Sequence, residues 1–389
     1  MKDVEAYLRE ELERLEAGHA LRALQVREST GGHITVDGQP WRNFSSNDYL
    51  ELSRNPTVLE RAHEYLERFG AGATASRLVT GNLPCHEELE GRLAAHKGYE
   101  QALLFGSGFL CNLGIISTLV GRNDEVFADR LVHASILDAI RLSGARLHRF
   151  QHNDADHLAF LLGKPSSGQR LVVTESLFSM DGDIAPLDDI AMLAERTGAF
   201  CMVDEAHATG TMGPGGQGLV AELGLQGRVQ LAVGTLGKAL GGYGGFVACS
   251  ATMRDYLLNR SRPFIYSTGL PPAAVGAALG ALDELEAHPE WPDQLQRGAE
   301  QLRVGLQARG VDTLASSSQI IPVVAGENET AIAWSEAMRE VQILATAIRP
   351  PTVPEGKARL RLSTTRAHTK TDIERLLECI ASLHAGALV

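Results

Sequence analysis

Apolar residues follow two patterns along this chain: helical spacing near the N-terminus, and short continuous runs in the middle. Residues 3–17 place Val4, Tyr7, Leu8, Leu12 and Leu15 at helical spacing, which predicts an amphipathic helix. Between about residues 100 and 250, short apolar runs alternate with longer helix-like stretches. The runs are Ala102–Phe105, Glu125–Ala128, Leu147–Phe150, Leu171–Thr174, Phe200–Val203, Leu231–Val233 and Phe246–Cys249. Strands that alternate with helices predict βαβ units and a mainly parallel sheet.

The pattern changes after a proline-containing break at residues 288–293. Beyond it the sequence predicts helices near 294–309, 330–340 and 371–384, and strands at 319–324, 343–348 and 358–363. This order is typical of a smaller α+β domain. We therefore expect an N-terminal arm at residues 1–45, a large domain at 46–290 and a small C-terminal domain at 291–389.

Composition narrows the class of protein. The 389 residues are 44% hydrophobic and 22% charged, with a net charge of −12, as in an ordinary globular protein. An acidic surface argues against nucleic-acid binding, and the absence of a long apolar run argues against a membrane span. The polar N-terminus and five dispersed cysteines without a C-x-x-C pair predict a cytoplasmic protein with reduced thiols and no metal site.

The sharpest chemical signal is a lysine among glycines, Gly234-Thr-Leu-Gly-Lys238-Ala-Leu-Gly-Gly-Tyr-Gly-Gly. A lysine that forms a Schiff base must approach a planar cofactor closely, and glycines permit that approach. An ordinary solvated lysine is the simpler alternative. The run lacks the G-x-x-x-x-G-K-[ST] spacing of a phosphate-binding P-loop.

Three further stretches follow predicted strands. Asp204 ends one strand and His207 comes three residues later, Gly106-Ser-Gly108 precedes a helix expected near Asn112, and His133 follows another strand. Taken singly, they could be a helix cap, a plain turn and a core histidine. Together with Lys238 they offer an amine, an acid, a ring-stacking group and a phosphate site at one sheet edge, which is what pyridoxal 5'-phosphate requires.

Seven runs of the sequence resemble motifs of the α-oxoamine synthases, which are pyridoxal-phosphate enzymes of fold type I. The likeness covers nearly the whole chain and implies the aspartate aminotransferase-like α/β fold, with a large domain and a smaller C-terminal α+β domain. The runs are Ser45-Ser-Asn-Asp-Tyr-Leu50, Ala75-Ser-Arg-Leu-Val-Thr-Gly-Asn82, Asp129-Arg-Leu-Val-His-Ala-Ser135, Glu175-Ser-Leu-Phe-Ser-Met-Asp-Gly-Asp183, Val203-Asp-Glu-Ala-His207, Gly234-Thr-Leu-Gly-Lys238 and Ala358-Arg-Leu-Arg-Leu362.

The resemblance implies a role for each matching residue. Lys238 is expected to hold the cofactor as a Schiff base and to remove the Cα proton of an amino acid. Asp204 is expected to keep the ring nitrogen protonated, which makes the ring an electron sink. The other expected cofactor contacts are His133 on the ring face, His207 and Ser179 at the phenolic oxygen, and Gly108, Phe109 and Thr235 at the phosphate, with Ser267 and Thr268 supplied by the second subunit of a homodimer.

Substrate contacts also follow from the resemblance. Arg361 is expected to bind the amino acid's α-carboxylate with Asn47 nearby, although a surface arginine at a strand end is an alternative. Arg22, Arg349 and Thr352 match positions that contact the acyl substrate. The run at 347–354 is most similar to the biotin-pathway branch, which condenses L-alanine with a pimeloyl thioester of coenzyme A or a carrier protein and releases CO2.

Two departures from the family pattern keep alternatives open. Glu51 stands where the family usually has glycine, and Gly241-Gly-Tyr-Gly-Gly is closer to branches that use glycine as substrate. Another acyl transfer of the same family, such as acetyl transfer to glycine, is therefore the main alternative. A dinucleotide-dependent oxidoreductase lacks its G-x-G-x-x-G signature here, and a catalytically inactive subunit is disfavoured because Lys238, Asp204 and His207 are all present.

Overall fold

The structure, a computed structural model, describes residues 3–18, 20–27, 31–384 and 386. The strands are β1 (His33–Val36), β2 (Gln39–Asn43), β3 (Gln101–Phe105), β4 (Glu125–Asp129), β5 (Arg146–Phe150), β6 (Arg170–Glu175), β7 (Phe200–Asp204), β8 (Leu231–Thr235), β9 (Gly245–Cys249), β10 (Ile320–Gly326), β11 (Ile343–Leu344), β12 (Thr346–Ile348) and β13 (Ala358–Ser363).

The helices include those that the sequence predicts, each within a few residues of its expected bounds. They are α1 (Val4–Ala17), α2 (Pro56–Phe69), α3 (Pro84–Lys97), α4 (Gly108–Leu119), α5 (Ala134–Ser143), α6 (Ala155–Leu162), α7 (Leu187–Thr197), α8 (Leu219–Glu222), α9 (Ala251–Arg260), α10 (Arg262–Ile265), α11 (Pro272–Ala287), α12 (Trp291–Gln307), α13 (Asn328–Glu340) and α14 (Lys370–His384).

The chain forms two compact units. The larger comprises Asp48–Ser179 and Asp183–Gln296, and the smaller comprises the described parts of Met1–Asn47, Met180–Gly182 and Arg297–Val389. The larger unit contains a seven-stranded sheet in the order β3-β9-β8-β7-β6-β4-β5. Strand β9 pairs antiparallel with β3 and β8, while the pairs from β8 to β5 are parallel. The prediction of a mainly parallel sheet is confirmed.

Alternate residues of the central strands face two apolar cores. Val126 and Ala128 pack in one core, while Phe127 between them packs in the other. The same alternation holds in β6, where Val172 faces the opposite core from Leu171 and Val173. Burial on both faces explains why these strands are continuous apolar runs in the sequence.

The smaller unit contains an antiparallel sheet in the order β10-β13-β12 and a second sheet in the order β1-β2-β11. The single strand predicted at 343–348 is wrong, because the structure divides it into β11 and β12 in different sheets. The break is at Ala345, whose carbonyl accepts a hydrogen bond from the Ser335 hydroxyl at 2.6 Å. Helix α1 forms as predicted, but its apolar stripe is exposed.

Within the described ranges, no helix is both long and apolar enough to cross a membrane. The five cysteines, Cys85, Cys111, Cys201, Cys249 and Cys379, are all buried and unpaired. Burial raises the pKa of each thiol above its usual value.

A fully buried ion pair joins α3 to the segment after β7. Lys97 Nζ lies 2.5 Å from the Glu205 carboxylate, and the two side chains are 1% and 0% exposed. Lys97 also donates to the carbonyl of Gln217, and Glu205 accepts from the backbone N–H of Val220 at 3.0 Å. This network fixes the start of α8 and the residue that follows Asp204.

We expect Lys97→Met to lower the free energy of unfolding by about 3–5 kcal/mol, because it leaves the Glu205 charge buried without a partner. Urea denaturation measures this change. The matched control is Lys370→Met, which removes an exposed ion pair with Glu374 and should cost about 0.5 kcal/mol or less. Equal small losses in the two variants would show that Lys97 does not compensate Glu205.

Candidate active site

The predicted cofactor residues of the larger unit follow the carboxyl ends of its strands. Asp204 ends β7, Thr235 ends β8, and Lys238 comes three residues later. His133 follows β4 and directly precedes α5, while Gly108 begins α4 after β3. Because the parallel strands end at one edge of the sheet, the topology brings these residues to the same edge.

Asp204 is the buried acid of this edge, with 6% of its surface exposed. Its Oδ2 accepts a hydrogen bond from Asn112 Nδ2 at 2.8 Å, and its Oδ1 accepts from the backbone N–H of Ala206 at 2.9 Å. The Asn112 amide also donates to the Ser135 hydroxyl at 3.0 Å, and that hydroxyl lies 2.7 Å from His133 Nδ1. One chain of hydrogen bonds therefore links Asp204 to His133.

A second chain of hydrogen bonds passes through His207. Lys238 Nζ lies 2.7 Å from His207 Nε2, and the Tyr49 hydroxyl lies 2.7 Å from His207 Nδ1. Tyr49 is fully buried, so the imidazole is held on both sides by the protein. The structure thus brings the predicted lysine and histidine into direct contact.

Burial and neighbouring charge shift two titrating groups at this edge. Burial raises the pKa of Glu175 well above its usual value, and the nearby Asp204 charge raises it further, although Lys238 opposes the shift. Burial lowers the pKa of His133, which favours its neutral form. A neutral imidazole suits the predicted contact with a flat aromatic ring.

The predicted phosphate residues surround the first turn of α4. The helix begins at Gly108 rather than near Asn112, because the Ser107 side chain caps it by accepting from the backbone N–H of Leu110 at 3.2 Å. A Cβ placed on Gly108 would lie 3.8 Å from Thr235 Cβ, so Thr235 faces this turn. The amides of a helix N-terminus with a nearby hydroxyl form an anion site.

The structure also gives the surroundings of Phe109, Ser179 and Thr268, which are predicted to contact the phosphate or the ring. The Phe109 side chain is exposed, and Ser179 is half-buried after the buried Phe178. Thr268, which follows Ser267, forms an isolated antiparallel bridge with Ser76.

The glycines that follow Lys238 pack against the protein's own backbone. A Cβ on Gly245 would lie 2.5 Å from the carbonyl carbon of Ser107, and one on Gly241 would lie 2.4 Å from the backbone nitrogen of Ser53. Gly241 also has φ +64°. Close backbone approach therefore explains these two glycines, in addition to any approach of a cofactor to Lys238.

Glu51, which stands where the family usually has glycine, has an uncommon backbone conformation. Glu51 has φ 60° and ψ 33°, in the left-handed region that glycine adopts readily. The turn that follows Tyr49 and Leu50 thus places a glutamate in a backbone conformation that glycine adopts more readily.

The predicted substrate residues lie in the smaller unit. Arg361, on β13, is 7% exposed, so the surface-arginine alternative is wrong. Its guanidinium donates to the Ser363 hydroxyl at 2.8 Å and to Asn47 Oδ1 at 3.3 Å. Arg361 and Asn47 are therefore neighbours, as the resemblance implied.

Arg22, Arg349 and Thr352 line one cavity of about 690 Å³ within the smaller unit. Arg27 and Arg339 also line this cavity, together with Glu336. The excess of cationic side chains suits an anionic group of the substrate. Residues far apart in the sequence are thus gathered around one cavity.

Comparison with known proteins identifies the family. The model of the aminotransferase class I and II family matches residues 39–380. The 8-amino-7-oxononanoate synthase of Anaeromyxobacter dehalogenans is 46% identical over 374 residues, which are 96% of this chain and 94% of that protein. The chain belongs to the aminotransferase class I and II family. The protein of the same name from Trichlorobacter lovleyi is 44% identical over 376 residues and covers 96% of both chains.

Solved structures of this family share the fold. A serine palmitoyltransferase of S. paucimobilis has a TM-score of 0.92 at 31% identity and covers 99% of both chains. An 8-amino-7-oxononanoate synthase of Francisella tularensis has a TM-score of 0.77 at 29% identity, over 90% of this chain and 99% of that one. The predicted α-oxoamine synthase relationship and fold type I are confirmed. The chain is a pyridoxal-phosphate-dependent acyltransferase.

The residues present fit this cofactor. The sheet edge supplies an amine, a buried carboxylate, a neutral imidazole and a helix N-terminus, which match the cofactor's aldehyde, ring nitrogen, ring face and phosphate. Asn112 Oδ1 and Glu175 Oε1 are buried near this edge and have no hydrogen-bond partner among the described residues.

Sequence reasoning missed three residues of this site. Tyr49 and Glu175 lie inside runs that carried the resemblance but received no role, and Asn112 was seen only as the start of a helix. Helical spacing could have found Asn112, because it lies one turn after Gly108 and therefore on the same face of α4. Only the structure shows its hydrogen bond to Asp204.

We expect Tyr49→Phe to weaken pyridoxal phosphate binding several-fold and to change the visible absorbance of the bound cofactor, because His207 loses its contact with the Tyr49 hydroxyl. Cofactor titration followed by absorbance measures both effects. The matched control is Tyr65→Phe, which removes the hydrogen bond from another buried tyrosine to Glu88, on α3. Identical titrations of the two variants would contradict a role for Tyr49.

Proposed function

We propose that the enzyme condenses L-alanine with a pimeloyl thioester to give 8-amino-7-oxononanoate, CO2 and a free thiol, a step of biotin biosynthesis. In this reaction a bond forms between the alanine Cα and the thioester carbonyl carbon. The C–S bond breaks, the thiol leaves, and the α-carboxylate leaves as CO2. The observation that carries the proposal is the 44–46% identity to proteins of that name along nearly the whole chain.

The cavity of the smaller unit supports an acyl donor with an anionic end. Among the described residues that line it, the arginines at positions 22, 27, 339 and 349 outnumber the one glutamate, Glu336. A guanidinium binds a carboxylate with paired, charge-assisted hydrogen bonds, and a plain hydrocarbon end offers no such partner. A pimeloyl chain ends in a carboxylate and a palmitoyl chain ends in a methyl group.

We assign the following roles to the site residues. Bound pyridoxal phosphate supplies the conjugated ring that accepts electrons from Cα. Lys238 holds and moves the Cα proton at its Nζ, and His207 orients that amine from 2.7 Å away. Asp204 holds a proton on the ring nitrogen, with its carboxylate fixed by Asn112. Arg361 binds the substrate's α-carboxylate.

The remaining assignments follow the same logic. His133 covers the ring face, Ser179 contacts the phenolic oxygen, and the first turn of α4 with Thr235 binds the phosphate. Ser267 and Thr268 complete the phosphate site of the second subunit in a homodimer. We propose a cytoplasmic location, which suits a chain whose five cysteines are unpaired.

Transfer of a palmitoyl group to serine is the second candidate. The serine palmitoyltransferase match favours it, because that structure has a higher TM-score than the 8-amino-7-oxononanoate synthase. Identity favours the pimeloyl reaction, at 46% against 31%. Acetyl transfer to glycine shares the same chemistry, and substrate assays distinguish all three.

The deciding experiment measures thiol release from each pair of L-alanine, glycine or L-serine with pimeloyl-, acetyl-, succinyl- or palmitoyl-coenzyme A. We expect release with L-alanine and pimeloyl-coenzyme A, and none from Lys238→Ala with any pair. Release confined to serine with palmitoyl-coenzyme A, or to glycine with a short acyl donor, would overturn the proposed substrates. It would leave the cofactor chemistry intact.

We expect Arg349→Leu to raise the KM for pimeloyl-coenzyme A about tenfold or more, with little change in the KM for L-alanine. A lost charge-assisted hydrogen bond of about 1.5–3 kcal/mol accounts for this size. Steady-state kinetics with each substrate varied in turn measures both constants. The control is Arg309→Leu, which changes an exposed arginine two residues after α12 and should leave both constants unchanged. An unchanged KM in Arg349→Leu would remove this residue from the acyl site.

A further inference from the structure

A charged cluster of His152, Asp129 and Asp183 lies beside the cofactor edge of the larger unit and includes none of the residues assigned above. His152 follows β5 by two residues and lies between two carboxylates. Its Nδ1 is 3.0 Å from Asp129 Oδ1, and its Nε2 is 2.7 Å from Asp183 Oδ2. Carboxylate oxygens only accept hydrogen bonds, so both ring nitrogens must carry a proton and the ring is an imidazolium.

The electrostatics agree with this protonation. Burial by itself lowers the pKa of His152, but Asp129 and Asp183 raise it to about 10. The Asp129 carboxylate is fully buried, and the His152 side chain is 22% exposed. The cation therefore compensates two carboxylates that are otherwise close together in a poorly solvated place.

One side of the cluster fixes the turn that leads to His133. Asp129 Oδ1 accepts from the backbone N–H of Leu131 at 2.8 Å, and Asp129 Oδ2 accepts from that of Asn153 at 2.8 Å. The Val132 N–H donates to the Asp129 carbonyl at 3.3 Å and closes the turn. His133 is the next residue and caps α5.

The other side of the cluster fixes the hairpin that carries Ser179. Leu177 pairs with Ile184 in an antiparallel bridge, and the Phe178 N–H donates to the Asp183 carbonyl at 3.0 Å. The His152 ring meets the Phe178 ring edge to face, with centroids 4.4 Å apart. His152 thus contacts both strands of the hairpin immediately before Ser179.

Asn153 reinforces the same connection. It has φ +54°, an uncommon backbone conformation for a residue other than glycine. Its Nδ2 donates to Asp183 Oδ2 at 2.8 Å and to the carbonyl of Ile184 at 3.3 Å. A strained backbone is kept here because its side chain joins the β5 exit to the hairpin.

We propose that His152 is a positioning residue, whose imidazolium between Asp129 and Asp183 fixes both the turn before His133 and the hairpin that carries Ser179. It sets where these two side chains meet the cofactor ring. The inference rests on the proposed function only in that His133 and Ser179 are taken to contact the cofactor. The coupling between the segments is independent of any substrate.

The test compares His152→Gln with His148→Gln. His148 lies on β5, the strand that His152 follows, is also 22% exposed, and also contacts a carboxylate, Glu125 at 3.1 Å. Glu125 begins β4, whereas Asp129 ends it, so this control removes the same chemistry from the opposite edge of the sheet. Hydrogen–deuterium exchange is measured on the cofactor-free protein, and pyridoxal phosphate affinity is then measured by absorbance titration.

We expect His152→Gln to speed exchange at least fivefold in peptides covering residues 129–134 and 176–185, and to weaken cofactor affinity about tenfold. His148→Gln should leave both within twofold of the wild type. If the two variants behave alike, the inference is wrong. If the wild type itself binds no pyridoxal phosphate, the proposed function fails while the exchange comparison still decides the coupling.

A second pair of variants keeps the test decisive if His152→Gln does not fold. Asp183→Asn leaves the His152–Asp129 contact in place, so faster exchange should be confined to residues 176–185. The double variant His152→Gln/Asp183→Asn removes the facing charges and should recover part of the hairpin's protection. Asp183→Asn with unchanged exchange in 176–185 would overturn the inference.

Discussion

The buried negative charge of Asp204 is the constraint around which the site is organised. A carboxylate that is 6% exposed needs hydrogen bonds on both oxygens, and it takes them from Asn112 and from the backbone of its own turn. The Asn112 amide can serve Asp204 only if α4 begins where it does, at the Ser107 cap. The anion site at the helix start and the position of the acid therefore depend on each other.

The other buried acids at this sheet edge are either paired with a cation or hold a proton more tightly. Glu205 follows Asp204 and is neutralised by Lys97, while Asp129 is neutralised by His152. Glu175 pairs in register with Asp204 and responds by binding a proton more tightly. With Glu205 and Asp129 paired to cations and Glu175 holding its proton more tightly, Asp204 is the carboxylate on which the proposed contact with the ring nitrogen depends.

Much of the larger unit can be predicted from the sequence, because its strands are buried on both faces and appear as apolar runs. Lys238 and Asp204 can also be picked out as candidates, because glycines surround Lys238 and an apolar strand ends at Asp204. Tyr49 is not, because a buried tyrosine has the same local signature whether it packs or binds a histidine. The change of sheet at Ala345 involves the Ser335 hydroxyl of α13, which is distant in sequence, so the residues around Ala345 do not predict it. The left-handed backbone at Glu51 is not predicted either, because glutamate itself does not favour that conformation.

The buried cysteines have a practical consequence for enzymology. A reaction that liberates a thiol is followed most directly with a chromogenic disulfide, which reacts only with exposed thiolates. Burial keeps all five side chains of this chain both inaccessible and protonated. The thiols of the folded enzyme therefore add little to the signal, which then differs from the constant absorbance of the bound cofactor only by the released thiol. A slow rise in the background reports unfolding.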